Sequence, residues 1–141
     1  MDITESVISM VPPAEYELSK RFPGLEDPAS DGSFTVNQFP VQSTEALSEL
    51  FGSRARAEPT LNNRGILVEG VETISFNDQD MLLFRGTQNN EEGVLYEKWI
   101  AVFIGPRPVM VAFQEPRPGS LSKAQIMETL ASVRFTVEAG Q

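Results

Sequence analysis

Along this chain the spacing of apolar residues changes between every second position and every third or fourth, which separates strands from helices. Val7 to Val11 predicts a first strand, stopped by Pro12-Pro13, which cannot continue a ladder. Beyond Ala14 to Phe22, the run from Pro23 to Gly32 is dense in Pro, Gly, Asp and Ser and predicts a surface loop. From Ser33 to Val41, Phe34 and Val36 alternate with Thr35 and Asn37, so a strand is expected there, ending near Pro40. Leu47, Leu50 and Phe51 then share one face of a short helix, with Ser43 placed as N-cap, Glu45 in the first turn and Gly52 at the stop.

A polar link, roughly Ser53 to Arg64, leads into a meander of four strands: Gly65 to Phe76, Met81 to Thr87, Val94 to Ile104 and Val109 to Phe113. The turns between them, Asn77 to Asp80, Asn89 to Gly93 and Gly105 to Pro108, are too short for crossovers, so neighbours run antiparallel. Gly70 interrupts the alternation of the first strand, and a bulge there turns both Val68 and Val71 inward. Trp99 to Ile104 and Val109 to Phe113 are apolar on both faces, so both sides of the sheet need a cover. One cover is a last helix: Ser122 and Gln125 form a capping box, Leu121 and Ile126 a hydrophobic staple, and Ile126, Met127, Leu130 and Val133 the buried stripe. The order of elements predicts an α+β fold, a central antiparallel sheet of about six or seven strands flanked by helices on both faces.

Length and composition fit that picture. A chain of 141 residues, 40% apolar with nine Phe and one Trp, suits a single domain over 1–141 with one filled core. The sequence holds no Cys, which removes disulfides, thiolate nucleophiles and iron–sulfur ligation, and no His, which removes imidazole bases and the commonest zinc ligand. Twenty acidic against eleven basic residues give a net charge of −9, which repels nucleic acid and anionic lipid and suits a basic protein partner or plain solubility. No run of 18 apolar residues occurs, so no membrane span is expected. The start Met1-Asp2-Ile3-Thr4-Glu5 lacks the features of a secretory signal; it predicts a cytoplasmic chain if native, and a periplasmic one if a signal was removed upstream.

Carboxylates are the remaining acid/base or metal groups. Glu26, Asp27 and Asp31 cluster in the Pro-rich loop, but Pro28 interrupts them and their spacing is not that of a calcium loop, so turn chemistry is the expectation and no metal. Asp78 and Asp80 flank a tight turn, and Glu91 with Glu92 sits at a hairpin tip. Lys98 with Ser75 on a neighbouring strand is a conceivable dyad, without any supporting motif. Gly52, Gly65 and Gly70 lack the spacing of a phosphate loop. Trp99 reads as core rather than binding hot spot. Arg107 and Arg117 sit in Pro-rich turns, where exposed solubilising charge is the expectation over recognition of an acidic partner.

An early strand ending in Pro12-Pro13, a polar loop, a strand closing on Phe39-Pro40, a helix, a meander containing Glu97-Lys98-Trp99-Ile100 and a last helix running into Ser132-Val133-Arg134-Phe135 together resemble the PsbP-like superfamily. That group includes the PsbP extrinsic subunit of photosystem II, a Ran-binding nuclear import factor and small bacterial proteins of unknown role. The resemblance implies a sheet sandwiched by helices and an accessory, partner-binding role. It departs in two ways: no His is present to inherit metal contacts, and no long basic N-terminal arm is found.

The expectation is therefore a non-enzymatic accessory domain with no catalytic residue, no cofactor and no metal, acting on an unidentified protein partner. One alternative is a small apolar-ligand or lipid carrier, with a cavity between Phe84, Phe103, Phe113 and Leu130. A second is a hydrolase working with carboxylates alone.

Overall fold

The computed structural model describes residues 3, 8–13, 15–76, 79–89, 91–104, 107–116 and 121–135, the side chains of 74–76, 79–81 and 104 excepted. In chain order they form β1 (Ile8–Ser9), β2 (Glu17–Leu18), β3 (Gly24–Asp27), β4 (Gly32–Gln38), a 3-10 turn (Val41–Ser43), α1 (Thr44–Leu50), α2 (Arg54–Asn63), β5 (Ile66–Phe76), β6 (Gln79–Asn89), β7 (Leu95–Ile104), β8 (Pro108–Pro116), α3 (Lys123–Ala131) and β9 (Arg134–Phe135). Seven strands make one antiparallel sheet in the order β2-β3-β4-β8-β7-β6-β5, and β1 pairs with β9 in a small second sheet. This is the expected α+β fold.

The two-faced strands explain the layering. On β7 and β8, Trp99, Ala101, Phe103, Val109, Val111 and Phe113 point to one side and pack with Ile126, Leu130 and Val133 of the α3 segment and with Ile8 and Met10. Their alternates Ile100 and Val102 point to the other side and pack with Phe51, Ala57 and Leu61 of the α1–α2 segment. Alternation along the pleat thus yields two cores, one under α3 and one under α1 and α2. At the expected bulge the β5 register shifts between Val68 and Gly70, so that Val68 and Val71 both meet the second core. Gly86, opposite Val68, is required there: a Cβ would collide with the Leu67 carbonyl oxygen.

Four local expectations are corrected. Gly24–Asp27 is a strand, β3, hairpinned to β4 through the turn at 28–31; only the turn is loop, and Asp31 there adopts φ +62°, which Asp tolerates. Ser53 to Arg64 is not a link but holds α2, which starts with Ser53 Oγ accepting from the Arg56 amide. Pro59 inside it and only two buried residues, Ala57 and Leu61, leave a weak apolar period. Ser43 makes no cap hydrogen bond, because the preceding 3-10 turn already holds it in helical conformation. At α3 the capping box is present as read: Ser122 Oγ accepts from the Gln125 amide at 3.2 Å and Gln125 Oε1 accepts from the Ser122 amide at 2.8 Å. Gln79 and Asp80 belong to β6 rather than to the turn before it.

Candidate functional site

Helices α1 and α2 do not close tightly on the sheet. Between them and β4, β8, β7 and β6 lies a recess of about 370 Å³, within the size range of small-molecule sites. Its apolar wall is Leu47, Leu50 and Phe51 from the helical segment with Ile66, Ile100, Met110 and Ala112 from the sheet. No residue of α1 is buried, and Leu47 and Leu50 remain half-exposed although they face the second core. The open space beneath them accounts for that exposure.

The polar end follows from register. Lys98 of β7 stands beside Gln114 of β8, one step along the strands from Ile100 beside Ala112. Directly paired side chains on one face start about 5 Å apart at their Cβ atoms, so the Lys98 and Gln114 side chains stand side by side on the wall of the recess. Thr35, which pairs with Ala112, adds a hydroxyl to the same wall. Gln88 is already used, its Nε2 donating to the Arg64 carbonyl at 2.6 Å. The Lys98 side chain makes no ion pair and no hydrogen bond among the described residues, and burial lowers its pKa below the usual lysine value. No carboxylate is among the described residues lining the recess. In a chain of net charge −9, a cation left unpaired inside a half-apolar recess is the feature with most chemical consequence.

Apart from Lys98, the residues singled out from the sequence lie elsewhere. Glu26 accepts from Arg21 at 2.8 Å and from Ser19 Oγ at 3.1 Å, and the Arg21 hydrogen bond holds its carboxyl below the usual range. Asp27 Oδ1 accepts from the Ala29 amide, an Asx turn, and Asp31 Oδ2 accepts from the Tyr96 hydroxyl at 2.8 Å. No group of three or more carboxylates placed to hold a metal ion occurs among the described residues. Asp78 and Arg117 lie outside the described residues, as does the side chain of Asp80. Glu91 and Glu92 are exposed.

Register corrects the Ser75–Lys98 pairing. Lys98 stands opposite Gly86, which faces Val68, whereas Ser75 lies seven residues further along β5 opposite Asp80; at about 3.3 Å per residue that is roughly 23 Å. The proposed cavity between Phe84, Phe103, Phe113 and Leu130 is also corrected: Phe84 belongs to the core under α1 and α2 and the other three to the core under α3. Arg107 is not a free turn charge, since its Nε donates to the Phe39 carbonyl at 3.1 Å and it is half-buried. Trp99 is core, 1% exposed, with Nε1 donating to Glu97 at 3.0 Å and the Arg85 guanidinium 5.6 Å from its ring.

One carboxylate pair had no signal in the sequence. Glu97 of β7 stands opposite Glu115 of β8 on the α3 face. Glu115 is 2% exposed and accepts from the Tyr16 hydroxyl and the Leu121 amide, both at 3.2 Å, tying the β1–β2 connection and the start of the α3 segment to the sheet. Burial, then the Glu115 charge, raises the Tyr16 pKa well above its usual value.

No family model and no curated protein matches this chain. Among solved structures, one from Mycobacterium tuberculosis, LpqN involved in cell envelope biogenesis, is 12% identical, with a TM-score of 0.47 over 89% of this chain and 76% of its own. Another, a crystal structure of a protein from Bacteroides thetaiotaomicron, is 14% identical, with a TM-score of 0.56 over 96% of this chain. This chain spans about half the length of that protein, 47%. It shares with the Bacteroides protein an α+β fold over nearly its whole length.

Proposed function

We propose that the chain is a non-enzymatic binding domain of PsbP-like type, and that it holds a small, largely apolar ligand in the recess between α1, α2 and the sheet. The observation that carries this reading is the recess itself, about 370 Å³ with leucines and a tight row of sheet side chains around it. The order of elements and the fold shared with the Bacteroides protein support the PsbP-like assignment. A non-enzymatic role is supported by the lining: Lys98 and Arg64 with no carboxylate among the described lining residues, in a chain without His or Cys, suit binding better than proton relay.

A ligand site is favoured over a protein-docking edge. Of the two edge strands, β5 is blunted by the bulge at Gly70 and by Arg54, whose Nη2 donates to the Val68 carbonyl at 3.4 Å, and β2 is only two residues long. The test is titration with 1-naphthylamine, an uncharged, largely apolar fluorophore small enough for a recess of about 370 Å³. A saturable rise in emission at one site per chain, lost in Ala112→Trp with the circular dichroism unchanged, is the expected result. No saturable signal, or a signal untouched by Ala112→Trp, would overturn the reading.

A further inference from the structure

Resting on that reading, we infer that the ligand is an amphipathic monocarboxylate, its head held by Lys98 and Gln114 and its tail lying along Ile100 and Ala112 beneath α1. Three features of the recess point to this chemistry. The first is polarity along the strands: Lys98 and Gln114 form one register pair, and the next pair on the same face is Ile100 and Ala112, followed by Val102 and Met110. A ligand parallel to β7 therefore meets a cation and an amide at one end and the hydrocarbon of β7 and β8 beyond, with Thr35 and Asn37 of β4 alongside Ala112 and Met110. Leu47 and Leu50 roof the hydrocarbon part.

The second is the uncompensated charge. Lys98 and Gln114 have side chains with no hydrogen-bond partner among the described residues, and the described lining supplies no carboxylate to satisfy either. A half-buried ammonium without a partner is unfavourable, and an incoming anion removes that penalty while the Gln114 NH2 donates to its second oxygen. Lys98 is the half-buried cation of the lining, the other cation there, Arg64, being exposed, and one half-buried cation with neutral donors matches a single negative charge.

The third is size. At about 30 Å³ per heavy atom, the share of a water molecule in the liquid, 370 Å³ holds on the order of twelve heavy atoms. A straight-chain acid of about ten carbons has that number.

Calorimetric titration of the intact chain with decanoate, decanol, methyl decanoate and decyl phosphate tests this. Expected are one decanoate site and binding of decanol and the ester about tenfold or more weaker, the range for losing a charged hydrogen bond. Lys98→Met, which keeps the aliphatic stem, should bring decanoate down to the level of decanol. Equal affinity for decanoate, decanol and the ester, or decanoate binding unaffected by Lys98→Met, would overturn the carboxylate assignment and leave the apolar site standing. Tighter binding of decyl phosphate than of decanoate would also overturn it. Failure of all four ligands, with the fluorophore still bound, refutes the tail placement; failure of the fluorophore as well refutes the site. The ligand series needs no variant, so misfolding of Lys98→Met leaves the outcome decided.

Discussion

Two alanines on adjacent strands face opposite sides of the sheet and give a direct comparison of filled and unfilled space. Ala101 is fully buried in the core under α3, whereas Ala112 is half-buried and lines the recess under α1 and α2. Replacing each by leucine adds three carbons. At Ala101, 0% exposed within the core under α3, they overpack, at a cost of about 1–3 kcal/mol. At Ala112 the same carbons enter the recess, where full burial at about 0.8 kcal/mol per carbon would stabilise by up to about 2.4 kcal/mol. Because one side stays open to solvent, about 1 kcal/mol is the expected gain. For 141 residues the unfolding entropy is about 0.3 kcal/mol/K, so each kcal/mol moves the midpoint by about 3 °C. Thermal unfolding followed by circular dichroism should place Ala112→Leu about 3 °C above the parent and Ala101→Leu about 3–10 °C below it. Urea unfolding with unchanged slope would show that both effects lie in the native state. A loss of stability in Ala112→Leu as large as in Ala101→Leu would refute an open space on that face.

Other perturbations test the parts that build the two layers. Ser122→Ala removes the cap of α3 and should cost about 1 kcal/mol in urea unfolding. Gly86→Ala, with its Cβ against the Leu67 carbonyl, should destabilise by about 2 kcal/mol or more and loosen amide exchange around the β5 bulge. For Lys98 the sign follows from linkage: its native pKa lies below the ordinary value of 10.5, so between the two values the unfolded chain binds more protons and stability rises with pH. The desolvation penalty is thus present at neutral pH. Lys98→Met should be at least as stable as the parent at pH 7, with the difference shrinking as the pH approaches the ordinary lysine range, in parallel thermal melts.

Legibility in the sequence followed the strength of local signals. The α3 helix was readable because cap, staple and stripe all reside within Leu121 to Val133 and agree. The meander was readable from alternation and short turns, and the bulge from a single glycine out of step at Gly70. Helix α2 was not, because Arg54, Arg56, Glu58 and Pro59 dilute a stripe of only Ala57 and Leu61, and its stability comes from packing on β5. Strand β3 was hidden by Gly24, Asp27 and Pro28, turn formers that here flank a hairpin. The site was hidden for a different reason. Lys98 carries no motif, and its meaning depends on which residues register sets beside it: Gln114 and Gly86, rather than Ser75. An apolar run such as Trp99 to Ile104 announces that both faces are covered, but not that one cover is incomplete.

Methyl-resolved NMR during a decanoate titration is the most direct test of ligand binding in the recess. Shift changes should concentrate on Leu47, Leu50, Leu61, Ile100, Met110 and Ala112, with the methyls of Val111, Ile126, Leu130 and Val133 across the sheet unchanged. Changes centred on the α3 face, or no changes at saturating decanoate, would contradict it.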